Sequence, residues 1–156
     1  MTLHIRRAIA ADVPAMSVVL TASITELCVA DHGGDPSAIT AWTRNKSEAG
    51  VAVMVANPDL ELYVAERDGA IVAVGAATKD GTVALNYVAP QARFAGISTA
   101  LLARLEQALV ALGHREGRLE STNTARAFYQ SRGWQADGPQ TSGRVVSGYP
   151  MRKVLV

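Results

Sequence analysis

At Pro90 the hydrophobic period of the chain changes, and this change constrains the fold more than any other feature of the sequence. Before it, Leu60 to Glu66, Ala70 to Ala77 and Thr82 to Val88 are short apolar or alternating runs bounded by turn residues, the pattern of strands. Asp68-Gly69 separates the first two as a two-residue hairpin, and Thr78 to Gly81 turns the second into the third. After Pro90, Ile97, Leu101, Leu105, Leu109 and Leu112 fall on one helical stripe that Gly113 ends. A set of antiparallel strands therefore passes into a helix through the segment Pro90 to Gly96.

The flanks fill in the rest. Leu3 to Arg7 alternates like a short strand. Asp12 reads as an N-cap, with Pro14 in the first turn of a helix reaching Val29. Asp31-His32-Gly33-Gly34 breaks that helix, and Asp35-Pro36 starts another that runs to about Asn45. Period alone does not separate helix from strand at Val51 to Ala56, but Asn57-Pro58 favours a helix ending there. Arg118 to Ser121 reads as a strand. Asn123 to Arg132 reads as a helix with Asn123 or Thr124 near its cap and Gly133 just past its end. Trp134 to Ala136 and Arg144 to Leu155 read as two last strands, joined by the turn Asp137-Gly138-Pro139. The order predicts an α/β fold, a mixed sheet with helices on both faces. At 156 residues, 1–156 is expected to be one domain.

Composition narrows the partners. A net charge of +1 with 19% charged residues gives no field for nucleic acid or an anionic membrane. Cys28 is the one cysteine, which favours a reducing compartment. The N-terminus lacks the apolar core of a signal peptide. The longest apolar stretch, Ala70 to Ala77, falls short of the ~20 residues a bilayer needs. These features predict a cytoplasmic protein. One cysteine and three scattered histidines predict no metal site.

The segment after Val88 carries the chemistry. The first N–H groups of a helix have no internal partners, and the helix dipole makes that end positive. A strand–loop–helix turn with Gly96 and Ser98 at its bend would therefore face an anion. Arg93 adds a cation, and Ser98 and Thr99 add hydroxyl donors. The competing reading is an ordinary strand-to-helix connection. Neither a Walker loop nor a Rossmann fingerprint is present.

Arg93-x-x-Gly96-x-Ser98 resembles motif A of the GNAT superfamily of N-acetyltransferases. Asn123, Phe128, Tyr129, Gly133 and Trp134 resemble its motif B, with the alanines displaced by one position. Ser98 stands where Gly or Ala is usual. The resemblance implies a mixed, mostly antiparallel central sheet of about six to seven strands with helices on both faces. It implies acetyl-CoA as cofactor, its diphosphate on the amides of Phe94 to Thr99. Its pantetheine arm would lie along the main chain of Tyr87 and Val88, with Asn123 and Phe128 lining it and Tyr129 facing the sulfur. The parallel strand Arg118 to Ser121 would splay from Tyr87–Val88 to open the thioester gap.

Such a site would move an acetyl group to a primary amine by direct attack. A main-chain N–H near Val88 would meet the developing oxyanion, and Tyr129 would act as general acid. A phenol of pKa about 10 is a weaker acid than a thiol of about 8.5, so full transfer is uphill by roughly 2 kcal/mol and hydrogen bonding or concerted transfer fits better. Tyr129 and Phe128 could instead be core residues, and Asn123 a simple cap. The base is not legible: Glu26, Asp31 and His32 are the candidates, His32 foremost. Cys28 reads as a buried hydrophobe rather than a nucleophile. The acceptor is a small-molecule or peptide amine, and the oligomeric state is open, a homodimer included. A non-catalytic acyl-CoA-binding regulatory module is the alternative reading, and a nucleotide ligand a third.

Overall fold

The structure is a computed structural model that describes residues 2–142 and 145–156. Leu3–Arg7 forms β1, Leu60–Arg67 β2, Ala70–Thr78 β3 and Val83–Val88 β4, and these four make one antiparallel sheet in the order β1-β2-β3-β4. The β2–β3 hairpin turns at Asp68 (φ 53°) and Gly69 (φ 79°), both left-handed as the tightest hairpin turn requires. Glu116–Ser121 (β5), Gln135–Ala136 (β6) and Tyr149–Val154 (β7) make a second sheet in the order β5-β7-β6. Arg144, the expected start of the last strand, lies outside the described residues. The sheets meet at a parallel bridge between Thr82 and Arg118, where the Arg118 amide donates to the Gly81 carbonyl at 3.0 Å.

The helices are α1 (Val13–Leu27), α2 (Val29–His32), α3 (Pro36–Thr43), α4 (Glu48–Ala56), α5 (Ile97–Ala111) and α6 (Arg126–Ser131). Both α1 and α5 pack on β3, whose run Val72 to Ala77 is buried without interruption, so both faces of the sheet are covered. The stripe read from the sequence, Ile97, Leu101, Leu105 and Leu109, is the buried face of α5. Burial of each such side chain stabilises the fold by about 1.5–3 kcal/mol. Trp134 is a core residue, its indole donating to Glu106 Oε2 at 3.2 Å.

Three expectations change. Asp12 does not cap α1. Its carboxylate accepts from Arg6 at 2.8 and 2.9 Å and from the Ile9 amide at 2.8 Å, tying the start of α1 to β1. The helix expected from Asn123 begins at Arg126, because the residues before it form a turn held from elsewhere. By length and composition alone, Ala10–Leu27 could cross a membrane, which the reading of Ala70 to Ala77 as the longest apolar stretch overlooked. In the fold Met16, Leu20 and Ile24 of that helix lie in the core.

The Arg6 hydrogen bonds hold the Asp12 carboxyl below its ordinary value of 3.8, against the opposing effect of burial. A folded pKa below the unfolded one means the stabilisation is present above the unfolded value and is lost as pH falls through the folded one. Asp12→Asn is therefore expected to lower stability by about 1–3 kcal/mol at pH 7. The gap to the parent protein should begin to narrow as pH falls below about 4. Urea titrations at pH 7 and pH 3 measure both.

Candidate active site

β4 is hydrogen-bonded to β3 along one edge. Along the other it meets β5 only at the Thr82–Arg118 bridge among the described residues. Past that bridge the two strands part, and the outer main-chain edge of β4 is left open toward its C-terminal end. The connection from β4 to α5 then makes an unusual helix start. The first intrahelical bond runs from the Ala100 amide to the Gly96 carbonyl at 3.1 Å. Among the described residues, none of the amides from Phe94 to Thr99 has a hydrogen-bond partner. Gly96 sits at φ 75°, a left-handed conformation that aims these amides outward without the strain a side chain would add.

Phe94 also has positive φ, 62°, and its ring is 92% exposed with the Arg93 guanidinium stacked over it at 4.4 Å. A non-glycine residue in this region costs on the order of 1–3 kcal/mol and is found mostly at functional sites. One cation, the positive end of a helix dipole and a run of unpartnered amides are the groups that could hold a polyvalent anion.

A cavity of about 370 Å³ opens from this helix start into the gap between β4 and β5. Its wall includes Tyr87, Val88, Arg93, Phe94, Gly96, Ile97, Ser98, Thr99, Phe128 and Tyr129. Tyr129 is 7% exposed, packed edge-on between Phe128 and Trp134. Burial pushes its pKa up to about 12, with the neighbouring Asn86 amide pulling the other way. The phenol is therefore a hydrogen-bond donor at all ordinary pH. Asn86 Oδ1 is buried with no partner among the described residues. Burial likewise raises the Tyr87 phenol. Cys28 lies on the same wall, and burial, then the Asp31 charge, pushes its thiol up to about 12. A thiol so placed is neutral, in keeping with a packing role.

None of the candidate bases lies on the cavity wall. His32 is buried, with Nε2 at 2.8 Å from the Ile24 carbonyl and Nδ1 accepting from the Gly34 amide at 3.0 Å. That pair of bonds joins α1 to the turn after α2 through the ring, which meets Trp42 edge-on. Asp31 accepts from the amides of Asn123 (2.7 Å) and Thr124 (3.1 Å) and from the Thr124 hydroxyl. This clasp stops α6 from starting earlier. Glu26 is exposed and away from the cavity wall.

A sequence model described as the acetyltransferase (GNAT) domain matches residues 28–155. The chain belongs to the GNAT acetyltransferase family. No curated protein sequence matches it. Among solved structures it resembles a GCN5-related N-acetyltransferase from Rhodopseudomonas palustris, with TM-score 0.87 at 21% identity over 99% of this chain and 96% of the other. It also resembles the PaiA N-acetyltransferase from Thermoplasma acidophilum, solved with coenzyme A, with TM-score 0.81 at 18% identity over 99% of both chains. A third likeness is YncA of Salmonella typhimurium, a structure with acetyl-CoA, at TM-score 0.66 and 19% identity over 100% and 95%.

Within this GNAT fold two expected residues depart from the wall. Asn123 is exposed and contributes its amide to Asp31, while Thr122, Thr124 and Ala125 form the cavity surface there. Nor does Asn123 cap the helix: the Ala125 amide is taken by Thr122 Oγ1 at 3.1 Å. Ala95 is exposed and off the wall, so only its amide counts. Asn86 and Glu120 line the cavity and were not singled out in the sequence. Asn86 did leave a signal, a lone amide within the otherwise apolar Val83 to Val88. Asp31→Ala should speed hydrogen exchange at the Asn123 and Thr124 amides by about tenfold. The middle of α5 should be unaffected, as mass spectrometry of exchanged peptides would show.

Proposed function

We propose that this chain is an N-acetyltransferase that moves an acetyl group from acetyl-CoA to a primary amine. The observation that carries the reading is the run of unpartnered amides from Phe94 to Thr99 opening onto a cavity whose wall includes Tyr129. The residues suit the donor. Arg93 and those amides fit its diphosphate, and the open edge of β4 at Tyr87 and Val88 fits its amide-bearing arm, as an added strand would. Phe128 would pack on that arm. Family relatives whose structures hold coenzyme A or acetyl-CoA support the same donor. The bound thioester supplies an activated acyl carbon, and the protein's part is to hold it, shield it and manage charge.

A main-chain N–H at the end of β4 would stabilise the developing oxyanion. Tyr129 would donate a hydrogen bond to the departing sulfur, and the proton that the amine loses would pass to bulk water. With its pKa raised to about 12, complete proton transfer would be uphill by roughly 5 kcal/mol, so the phenol stabilises the thiolate rather than protonating it outright. A small-molecule or peptide amine as acceptor, and a cytoplasmic setting that keeps Cys28 reduced, complete the reading.

A thiol-release assay with acetyl-CoA and a panel of amines is the test. Turnover with at least one amine is expected. Saturable binding of acetyl-CoA with no turnover on any amine would favour the non-catalytic module instead. Tyr129→Phe should lower kcat by on the order of 10–100-fold and leave acetyl-CoA affinity unchanged. Equal kcat in the variant would remove Tyr129 from the chemistry.

A further inference from the structure

Side chains alternate along β5. Gly117, Leu119 and Ser121 are buried, and Glu116, Arg118 and Glu120 point the other way. Gly117 stands against Trp134 and Leu109 of α5, so Glu120 lies on the face turned away from α5. Glu120 is also just past the Thr82–Arg118 bridge, at the closed end of the gap between β4 and β5. It is the one carboxylate on the cavity wall among the described residues, as Arg93 is the one cation. The cavity is thus positive where α5 begins and negative where β5 closes it.

The carboxylate is held in place. Its Oε1 accepts from Thr141 Oγ1 at 2.7 Å, and Thr141 is paired to Gly148 through both main-chain bonds, at 2.8 and 3.0 Å. Gly148 makes room for it: a Cβ there would stand 1.9 Å from Oε1. Among the described residues no Lys or Arg forms an ion pair with Glu120, and Oε2 has no partner. A positioned carboxylate with one oxygen free, facing a cavity and without a counter-cation among the described residues, matches a ligand ammonium.

We propose that Glu120 selects and seats the acceptor, and that the acceptor is a cationic primary amine without a carboxylate near its nitrogen. This rests on the acetyl-transfer reading above. The free Oε2 accepts an N–H from the ammonium, which sheds a proton to bulk water before its nitrogen attacks, and the negative charge repels acceptors that bring a carboxylate of their own. Glu120 is then a specificity residue that leaves donor binding, at the far end of the cavity, untouched.

The test compares 1,4-diaminobutane, butylamine and 4-aminobutanoate, which share a four-carbon chain, as acceptors in thiol release. The parent protein should prefer the diamine and butylamine over the amino acid by about tenfold in kcat/KM. Glu120→Gln should raise KM for the two cationic amines by about tenfold and erase that preference, with acetyl-CoA affinity by calorimetry unchanged. Gly148→Ala, which displaces the carboxylate without removing it, should act in the same direction. If Glu120→Gln keeps both the KM values and the ranking, this inference is overturned while the acetyl-transfer reading stands. If the parent protein acetylates none of the amines in a broad panel, that reading fails and this one with it.

Discussion

Two parallel strands joined at one bridge and then parting leave main-chain groups that nothing inside the fold can satisfy. Everything that distinguishes this site follows from that geometry. The Thr82–Arg118 bridge fixes the closed end of the gap. The antiparallel pairing of β3 with β4 holds the other edge of β4 rigid, so the open edge stays extended. The chain then has to reverse into α5, and it does so through two residues of positive φ, Phe94 and Gly96. The outcome is a helix start whose amides look outward. Buried amides left unpaired would each cost about 1–3 kcal/mol, but exposed ones are satisfied by water until an anion replaces it.

Charge is arranged along the same axis. The helix dipole and Arg93 make one end of the cavity positive, and Glu120 makes the other negative. Between them lie neutral groups kept neutral by burial: the Tyr129 and Tyr87 phenols and the Cys28 thiol. In such a desolvated middle a phenol remains a donor, and a hydrogen bond to an emerging thiolate is stronger than it would be in water. The segment around α2 is braced separately. His32 joins α1 to the turn after α2, and Asp31 reaches across to the loop before α6. Residues that looked reactive in the sequence are thereby bracing residues.

The sequence was most legible where local rules decide the outcome. Asp68-Gly69 can only be a tight turn between two apolar runs, and the leucine stripe after Pro90 can only be an amphipathic helix. The helix start around Arg93 and Gly96 was readable because a turn from strand into helix needs few residues, all adjacent. Legibility failed where partners are distant in the chain. Asp12 looked like a cap because its partner Arg6 lies on a strand whose position the sequence does not reveal. Asn123 looked like a cap or a liner because Asp31, which takes its amide, is far away in sequence. Glu120 was invisible for a further reason: its role depends on Thr141 and Gly148 in another loop, and a single outward Glu on a strand is ordinarily just solvated.

The central claim is that the amides of Phe94 to Thr99 grip the diphosphate of the acyl donor. Amide-resolved NMR of the full chain titrated with coenzyme A tests it most directly, with pantetheine, which lacks the diphosphate, as the control. Large downfield shifts at those amides with coenzyme A, and small ones with pantetheine, are the expected result. Saturable binding of coenzyme A that leaves these amide resonances unmoved would contradict the account.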